Sequence, residues 1–198
     1  MKTGILLKIL VFTLGISGLS YYQIFAPENI ITETQAKPIR HFNIVKNKAP
    51  GILIARLKIP KIGINTILEN VGLTPKGALG VPKGIVNAGL YSLGPAPGEN
   101  GNAIIDGHFG WINKKPAVFN DLHKLIRGDK IYVHDKKGSI VTFIVSGSRI
   151  YKSDDKASEI FISSDGKSHL NLITCQGTWD KKRKEYSDRL VIFADNEI

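Results

Sequence analysis

Eighteen consecutive residues without a formal charge, positions 9–26, follow Lys2 and Lys8 at the start of this 198-residue chain. Wound as a helix, the run spans about 27 Å, close to the thickness of bilayer hydrocarbon, where a helix satisfies its own backbone. Lysines precede it and Glu28 and Glu33 follow, so the positive-inside rule sets residue 1 in the cytoplasm and the bulk of the chain outside. Tyr21 and Tyr22 then fall near the outer interface. A cleaved signal peptide is the rival reading, because the most apolar part, 9–19, is short and flanked by lysine. No Ala-x-Ala site follows at the usual distance, which favours an uncleaved signal anchor. The expectation is a single-pass cell-membrane protein: a cytoplasmic stub and anchor over 1–26, an extracytoplasmic linker over 27–50 and a domain over 51–198. The linker reading rests on Pro27, Pro38 and Pro50, which break any helix in a stretch without periodicity.

An outward-facing domain changes what the charge means. The chain carries a net +10, of which +4 lies on the anchor and linker and +6 on the domain. Most of the domain's charge is dispersed. Only Lys181-Lys182-Arg183-Lys184 forms a block, and it lacks the interleaved aromatics of a nucleic-acid stacking surface. The surplus suits an anionic cell envelope, and nucleic acid is not an expected partner.

From position 51 the pattern is strand-like. Runs at 52–59, 103–105, 130–134, 140–151, 169–174 and 189–194 are rich in Ile, Val, Leu and aromatics. Turn signals such as Asp135-Lys136-Lys137-Gly138 and Gly98-Glu99-Asn100-Gly101 separate them. One amphipathic helix is expected over 116–127, where Val118, Leu122 and Leu125 recur at helical spacing before Gly128. Many strands and few helices point to a closed or sandwich-like β-domain.

The chain has one cysteine, which excludes an intramolecular disulfide and any multi-cysteine zinc site. Cys175 ends the run Leu170-Asn171-Leu172-Ile173-Thr174 and precedes Gln176-Gly177. It reads either as buried packing or as a nucleophile held at a strand end. A free thiol on the oxidising side of a membrane is unusual enough to bring the two readings level. A thiol nucleophile needs a proton-transfer partner, and five histidines compete for that place. His108 leads, at the end of the run Gly101 to Gly107. His41 lies in the linker, His123 sits off the apolar stripe of the expected helix, and His134 precedes a hairpin turn. His169 begins the strand of Cys175, about 20 Å from the thiol along an extended chain. An antiparallel return from Cys175 brings Arg189 beside the thiol, where it would serve a developing oxyanion. The plainer alternative for Arg189 is a salt bridge with its neighbour Asp188. Asp106 is a weak candidate to orient His108, because residues two apart on a strand carry parallel side chains.

Together these residues resemble the sortases, membrane-anchored cysteine transpeptidases of bacterial cell surfaces. The resemblance is carried by Leu172-Ile173-Thr174-Cys175, Gly101-Asn102 leading to Gly107-His108, and Asp188-Arg189-Leu190-Val191, in that family's order and approximate spacing. Leu57-Lys58-Ile59-Pro60-Lys61-Ile62-Gly63-Ile64, Pro97-Gly98-Glu99-Asn100-Gly101-Asn102 and Phe119-Asn120-Asp121-Leu122 with Gly128-Asp129 add to it, over about residues 51–196.

The resemblance implies a mainly β fold: an eight-stranded sortase-type barrel with one or two short helices behind the transmembrane segment. It also implies three catalytic residues. Cys175 would attack a Leu-Pro-x-Thr-Gly-like sorting signal, His108 would move the proton, and Arg189 would bind substrate and oxyanion. Thr174 would contact substrate. Implied partners are surface proteins with C-terminal sorting signals and an amine acceptor such as a peptidoglycan precursor or a pilin lysine. Asn171 stands where the family often has threonine, and Asp106 where it more often has a small or apolar residue. The compact loop between the expected helix and the next strand, and the sequence Cys175-Gln176-Gly177, are most like the class D, E or F-type enzymes, and no second apolar helix is expected after the final strand. No acidic cluster reads as a metal site, so no cofactor is expected; calcium stimulation is a matter for assay. Two other functions stay open on the residues alone: a cysteine endopeptidase releasing the acyl group to water, and a non-catalytic β-domain binding the envelope.

Overall fold

The structure is a computed structural model and describes residues 54–197. The expected anchor and linker lie outside these residues. Among the described residues no helix is long and apolar enough to cross a membrane.

Ten strands form: β1 (Ile54–Ile59), β2 (Ile64–Val71), β3 (Ala88–Tyr91), β4 (Gly101–Gly107), β5 (Trp111–Ile112), β6 (Lys115–Pro116), β7 (Lys130–Asp135), β8 (Ile140–Lys152), β9 (Ser168–Asp180) and β10 (Glu185–Asn196). Eight of them close a barrel in the order β1-β2-β3-β4-β9-β10-β8-β7, and β5 and β6 make a small separate ribbon. Closure leaves the barrel sheet without an open edge. The β2–β3 and β4–β9 pairs are parallel and the rest antiparallel. This is the eight-stranded barrel expected from the sequence.

Strand alternation sorts the side chains. Ala103 and Ile105 of β4, Leu170 and Leu172 of β9, and Leu190, Ile192 and Ala194 of β10 point inward and join Leu57, Ile59, Phe119, Ile131 and Phe143 in the main core. The opposite face of the same three strands carries a second cluster, Ile104, Ile173 and Val191, packed under Tyr151 and Ile160.

Two expectations need correction. Residues 116–127 are not an amphipathic helix. Lys115–Pro116 is strand β6, and the only helix there is the single 3₁₀ turn Leu122–Lys124. The amides of Ala117, Val118 and Phe119 are spent on the carbonyls of Gly110, Ile85 and His108 at 2.8, 2.9 and 3.0 Å, so the chain is tied to three other segments before a helix can start. Of the expected stripe, Leu122 and Leu125 are buried and Val118 is half-buried against the same core, where Phe119 also packs. Single 3₁₀ turns at Pro60–Ile62 and Ser158–Ile160 are the other helical pieces among the described residues. The second correction concerns the end of Cys175's strand: β9 runs on to Asp180 rather than stopping at Thr174. Gly177, at φ 86°, makes a bulge, marked by the register shift between Tyr186 and Asp188, and lets the strand continue.

Candidate active site

Cys175 on β9 pairs directly with Arg189 on β10. On its other side, β4 pairs Asp106 with Ile173 and Gly107 with Thr174, so His108, the next residue, comes level with Cys175. Period-two alternation then puts Ile104, Asp106 and His108 on the same outward face as Asn171, Ile173 and Cys175, and as Arg189 and Val191. Three adjacent strands thus bring the thiol, the imidazole and the guanidinium to one end of one sheet face.

Each group is held by its surroundings. Gly107, just before His108, is in close contact: a Cβ there would lie 2.5 Å from Phe119 Cδ2 and 2.7 Å from Val118 Cγ1, which requires glycine. His108 Nε2–H donates to the carbonyl of Pro82 at 2.8 Å. A carbonyl only accepts, so Nε2 carries the hydrogen and Nδ1 is the nitrogen left for proton transfer in the neutral ring. Pro82 belongs to the long connection between β2 and β3. That connection is fastened by Glu69, whose carboxylate accepts from the amides of Lys83 (2.8 Å) and Gly84 (3.1 Å) and from Asn87 Nδ2 (2.7 Å). It is fastened again by Thr66 Oγ1 donating to the Val86 carbonyl at 2.7 Å.

Arg189 Nη1 donates to the carbonyls of Tyr186 and Asp188, both at 2.9 Å. It does not make the side-chain salt bridge with Asp188 that was the plainer alternative: that carboxylate is taken by Lys152 Nζ at 2.8 Å. Cys175 is half-buried, and burial pushes its thiol pKa up. Arg189 pulls the other way, while the charges of Asp106 and Glu185 add to the rise. A thiol raised in this way needs a base to become a nucleophile.

Thr174 precedes Cys175 on β9. Its side chain is on the inward face, 3% exposed, and its hydroxyl donates to the Gly107 carbonyl at 2.7 Å. That bond holds β4 and β9 together one residue below His108 and Cys175. Among the other described histidines, His123 is exposed and His134 lies on β7, which does not border β9. His169 is engaged with Asp195 (2.8 Å) and Asp165 (3.0 Å); His41 lies outside the described residues. No group of three or more metal-ligating side chains occurs among the described residues.

Sequence reasoning missed two parts of the site. One is the aromatic wall beside it, where Tyr186 stacks edge-on against Phe109 (5.5 Å) and Trp179 (5.1 Å). Its signal was present: Phe109 adjoins His108, and Trp179 and Tyr186 are paired across β9 and β10. The other is Pro82, whose carbonyl holds His108 from 26 residues away and leaves no local signature.

The sequence model of the sortase domain matches residues 57–197. Solved structures with the same fold include a Clostridium perfringens sortase D5 transpeptidase (25% identity, TM-score 0.53, covering 72% of this chain and 78% of that one). Sortase C1 of Streptococcus agalactiae (24%, 0.57, 73% and 67%) and a lid mutant of sortase A from Corynebacterium diphtheriae (21%, 0.58, 74% and 70%) are similar in the same way. No curated protein is similar enough to count as a match. A family match over most of the chain, on an eight-stranded barrel that gathers one thiol, one imidazole and one guanidinium, leaves a single conclusion: the chain belongs to the sortase family.

Proposed function

We propose that this protein is a membrane-anchored sortase in which Cys175, His108 and Arg189 cut a Leu-Pro-x-Thr-Gly-like sorting signal and transfer its acyl part to an amine of the cell envelope. The observation that carries the reading is the register of β4, β9 and β10, which aligns His108, Cys175 and Arg189 across adjacent strands.

In this reading the Cys175 thiol gives its proton to His108 Nδ1 and attacks the carbonyl of the signal's threonine. Charge builds on that carbonyl oxygen, where the Arg189 guanidinium stabilises it. The imidazolium then protonates the leaving amine of the glycine fragment, and a thioester to Cys175 remains. An incoming amine, from a peptidoglycan precursor or a pilin lysine, gives a proton back to His108 as it attacks, restoring the thiol and forming a new amide. Transfer to an amine keeps the acyl bond energy, so proteins are joined outside the membrane without ATP. Thr174 enters as the clamp between β4 and β9. The apolar run at 9–26 serves as a single-pass anchor that leaves the barrel outside the cell.

Within the family we place the protein with the small class D, E or F-type enzymes. Supporting this is the tight turn from Asp180 to Glu185 between the strands of Cys175 and Arg189, closed by Lys184 N–H on the Asp180 carbonyl at 2.8 Å. The reaction needs no cofactor.

The test is ligation. The full chain, incubated with a panel of sorting-signal peptides and amine acceptors, is expected to yield joined product by mass spectrometry, with none from Cys175→Ala. No thioester and no ligation across the panel would refute the reading. The ratio of hydrolysis to transfer at saturating amine separates a transpeptidase from an endopeptidase, and parallel reactions with and without calcium test stimulation.

A further inference from the structure

Asp106 is a buried ionisable group on the reactive face that the proposed chemistry leaves unused. It lies on β4 two residues before His108, opposite Ile173 of β9 and opposite Gly89 of β3. Its side chain is 6% exposed, and Oδ1 is buried without a hydrogen-bond partner. Buried carboxyls normally have partners, so an orphaned one beside a nucleophile calls for an account. Space is made for it deliberately: a Cβ on Gly89 would lie 2.5 Å from Oδ1, and Val71 Cγ1 and Pro82 Cδ close the same spot at 2.9 and 3.1 Å. The carboxyl therefore sits on bare backbone under an apolar roof, and Pro82 covers it while its carbonyl holds His108.

The elements packed around Asp106 carry few groups able to share its proton. They are His108 on its own strand, Glu69 of β2, Tyr91 of β3, Lys83 of the covering connection, Cys175 of β9 and, one strand further, Arg189 of β10. Glu69 is committed: the bond from Asn87, with those from Lys83 and Gly84, holds its carboxyl below the usual range. Arg189 is turned to the carbonyls of Tyr186 and Asp188. Cys175 lies one strand across and two residues along, on the order of 8 Å away by sheet geometry.

We propose that Asp106 is a positioning residue that controls the Cys175 thiol electrostatically: ionised, it opposes the thiolate, and neutral, it releases it. Burial raises the Asp106 carboxyl to about 7, which brings the switch into the working range of an extracellular enzyme. At that separation the ionised carboxylate lowers the thiolate fraction about tenfold. The inference rests on Cys175 being the nucleophile of the proposed reaction.

The experiment is alkylation of the full chain by iodoacetamide, followed by intact mass from pH 5.5 to 8.5. With one cysteine in the chain, the rate reports Cys175 alone. The rate ratio of Asp106→Asn to wild type is expected to be near 1 at pH 5.5 and about tenfold at pH 8.5. A ratio that does not change with pH, whatever its size, marks a structural role and overturns the proposal. Should Asp106→Asn fail to fold, the wild-type profile decides: an inflection between pH 6 and 8, with the rate climbing less than tenfold per pH unit, supports the switch, and an unbroken tenfold climb overturns it. A chain that shows the crossover yet ligates no peptide would refute the transpeptidase reading and leave this one standing.

Discussion

The two faces of the β4-β9-β10 sheet are built from the same three strands and differ in every other respect. The inward face is apolar and buried along Ala103, Ile105, Leu170, Leu172, Leu190 and Ile192, and the Thr174 hydroxyl on it is satisfied by Gly107. The outward face is graded along its length. At one end Asn102 and Asn171 donate to the carbonyls of Glu159 and Ile160, in the middle Ile104, Ile173 and Val191 form a small apolar patch, and at the other end stand His108, Cys175 and Arg189. The inner face supplies rigidity, and the outer face spends it on aligning three functional groups. On the proposed reading, stability and reactivity are carried by alternate residues of one strand, and substitutions on the two faces are expected to separate them.

The largest effect is expected from Cys175→Ala, which should remove at least about 10⁴-fold of kcat/KM in the ligation assay. It should leave thermal unfolding within a few degrees of wild type, because the residue is half-buried and outside the core. Three positions back on the inner face, Leu172→Ala should do the reverse. Leu172 is fully buried, so its truncation is expected to cost about 2–5 kcal/mol in denaturant unfolding, with kcat little changed while the barrel is folded.

Arg189→Ala should lower kcat about 10²–10³-fold. Lysine should rescue it poorly, because a point charge does not reproduce the fork of a guanidinium. Asn171→Ala should cost about 0.5–1.5 kcal/mol of stability by removing the bond from Asn171 Nδ2 to the Ile160 carbonyl at 2.6 Å, which leaves that carbonyl only Asn102 Nδ2 at 3.1 Å, and should spare kcat.

The smallest effect is a pH window at the far end of the face. Burial opposes the charged form of His169, but its bonds to Asp165 and Asp195 raise its pKa overall. Asp165 is held well below the usual carboxylate range, first by the Lys167 amide and then by His169. A raised histidine stabilises the fold below pH 6.5 and loses that contribution as pH rises through its folded value; a lowered carboxyl stabilises above pH 3.8 and loses it on acidification. The melting-temperature difference between wild type and His169→Gln should therefore be greatest between about pH 4 and 6.5 and fade toward pH 8.

This comparison also separates what was legible in the sequence from what was not. The apolar runs at 169–174 and 189–194 are clear, so the antiparallel return that sets Arg189 beside Cys175 followed from the pattern, whereas the pattern left barrel and sandwich both open and the family resemblance pointed to the barrel. β2 and β3 were not foreseen: Ile64–Val71 does not alternate cleanly, and Ala88–Tyr91 is four residues with a glycine in it. Residues 116–127 carry a helical spacing but are bound to Gly110, Ile85 and His108, and such tertiary ties override a local pattern. Asp106 was discounted on strand geometry, correctly as a partner aimed at His108. Its isolation depends on Gly89 and Pro82, which come from a strand and a connection that sequence patterning did not place.

The central claim is that the outward face makes an acyl-enzyme at Cys175. Intact-mass spectrometry of the full chain, mixed with excess sorting-signal peptide and quenched in acid at short times, reads this directly. The account predicts a mass increase equal to the acyl fragment up to its threonine, sensitive to hydroxylamine, kept in Asn171→Ala and absent in Cys175→Ala. Peptide cleavage with no adduct, or an adduct that persists in Cys175→Ala, would contradict it.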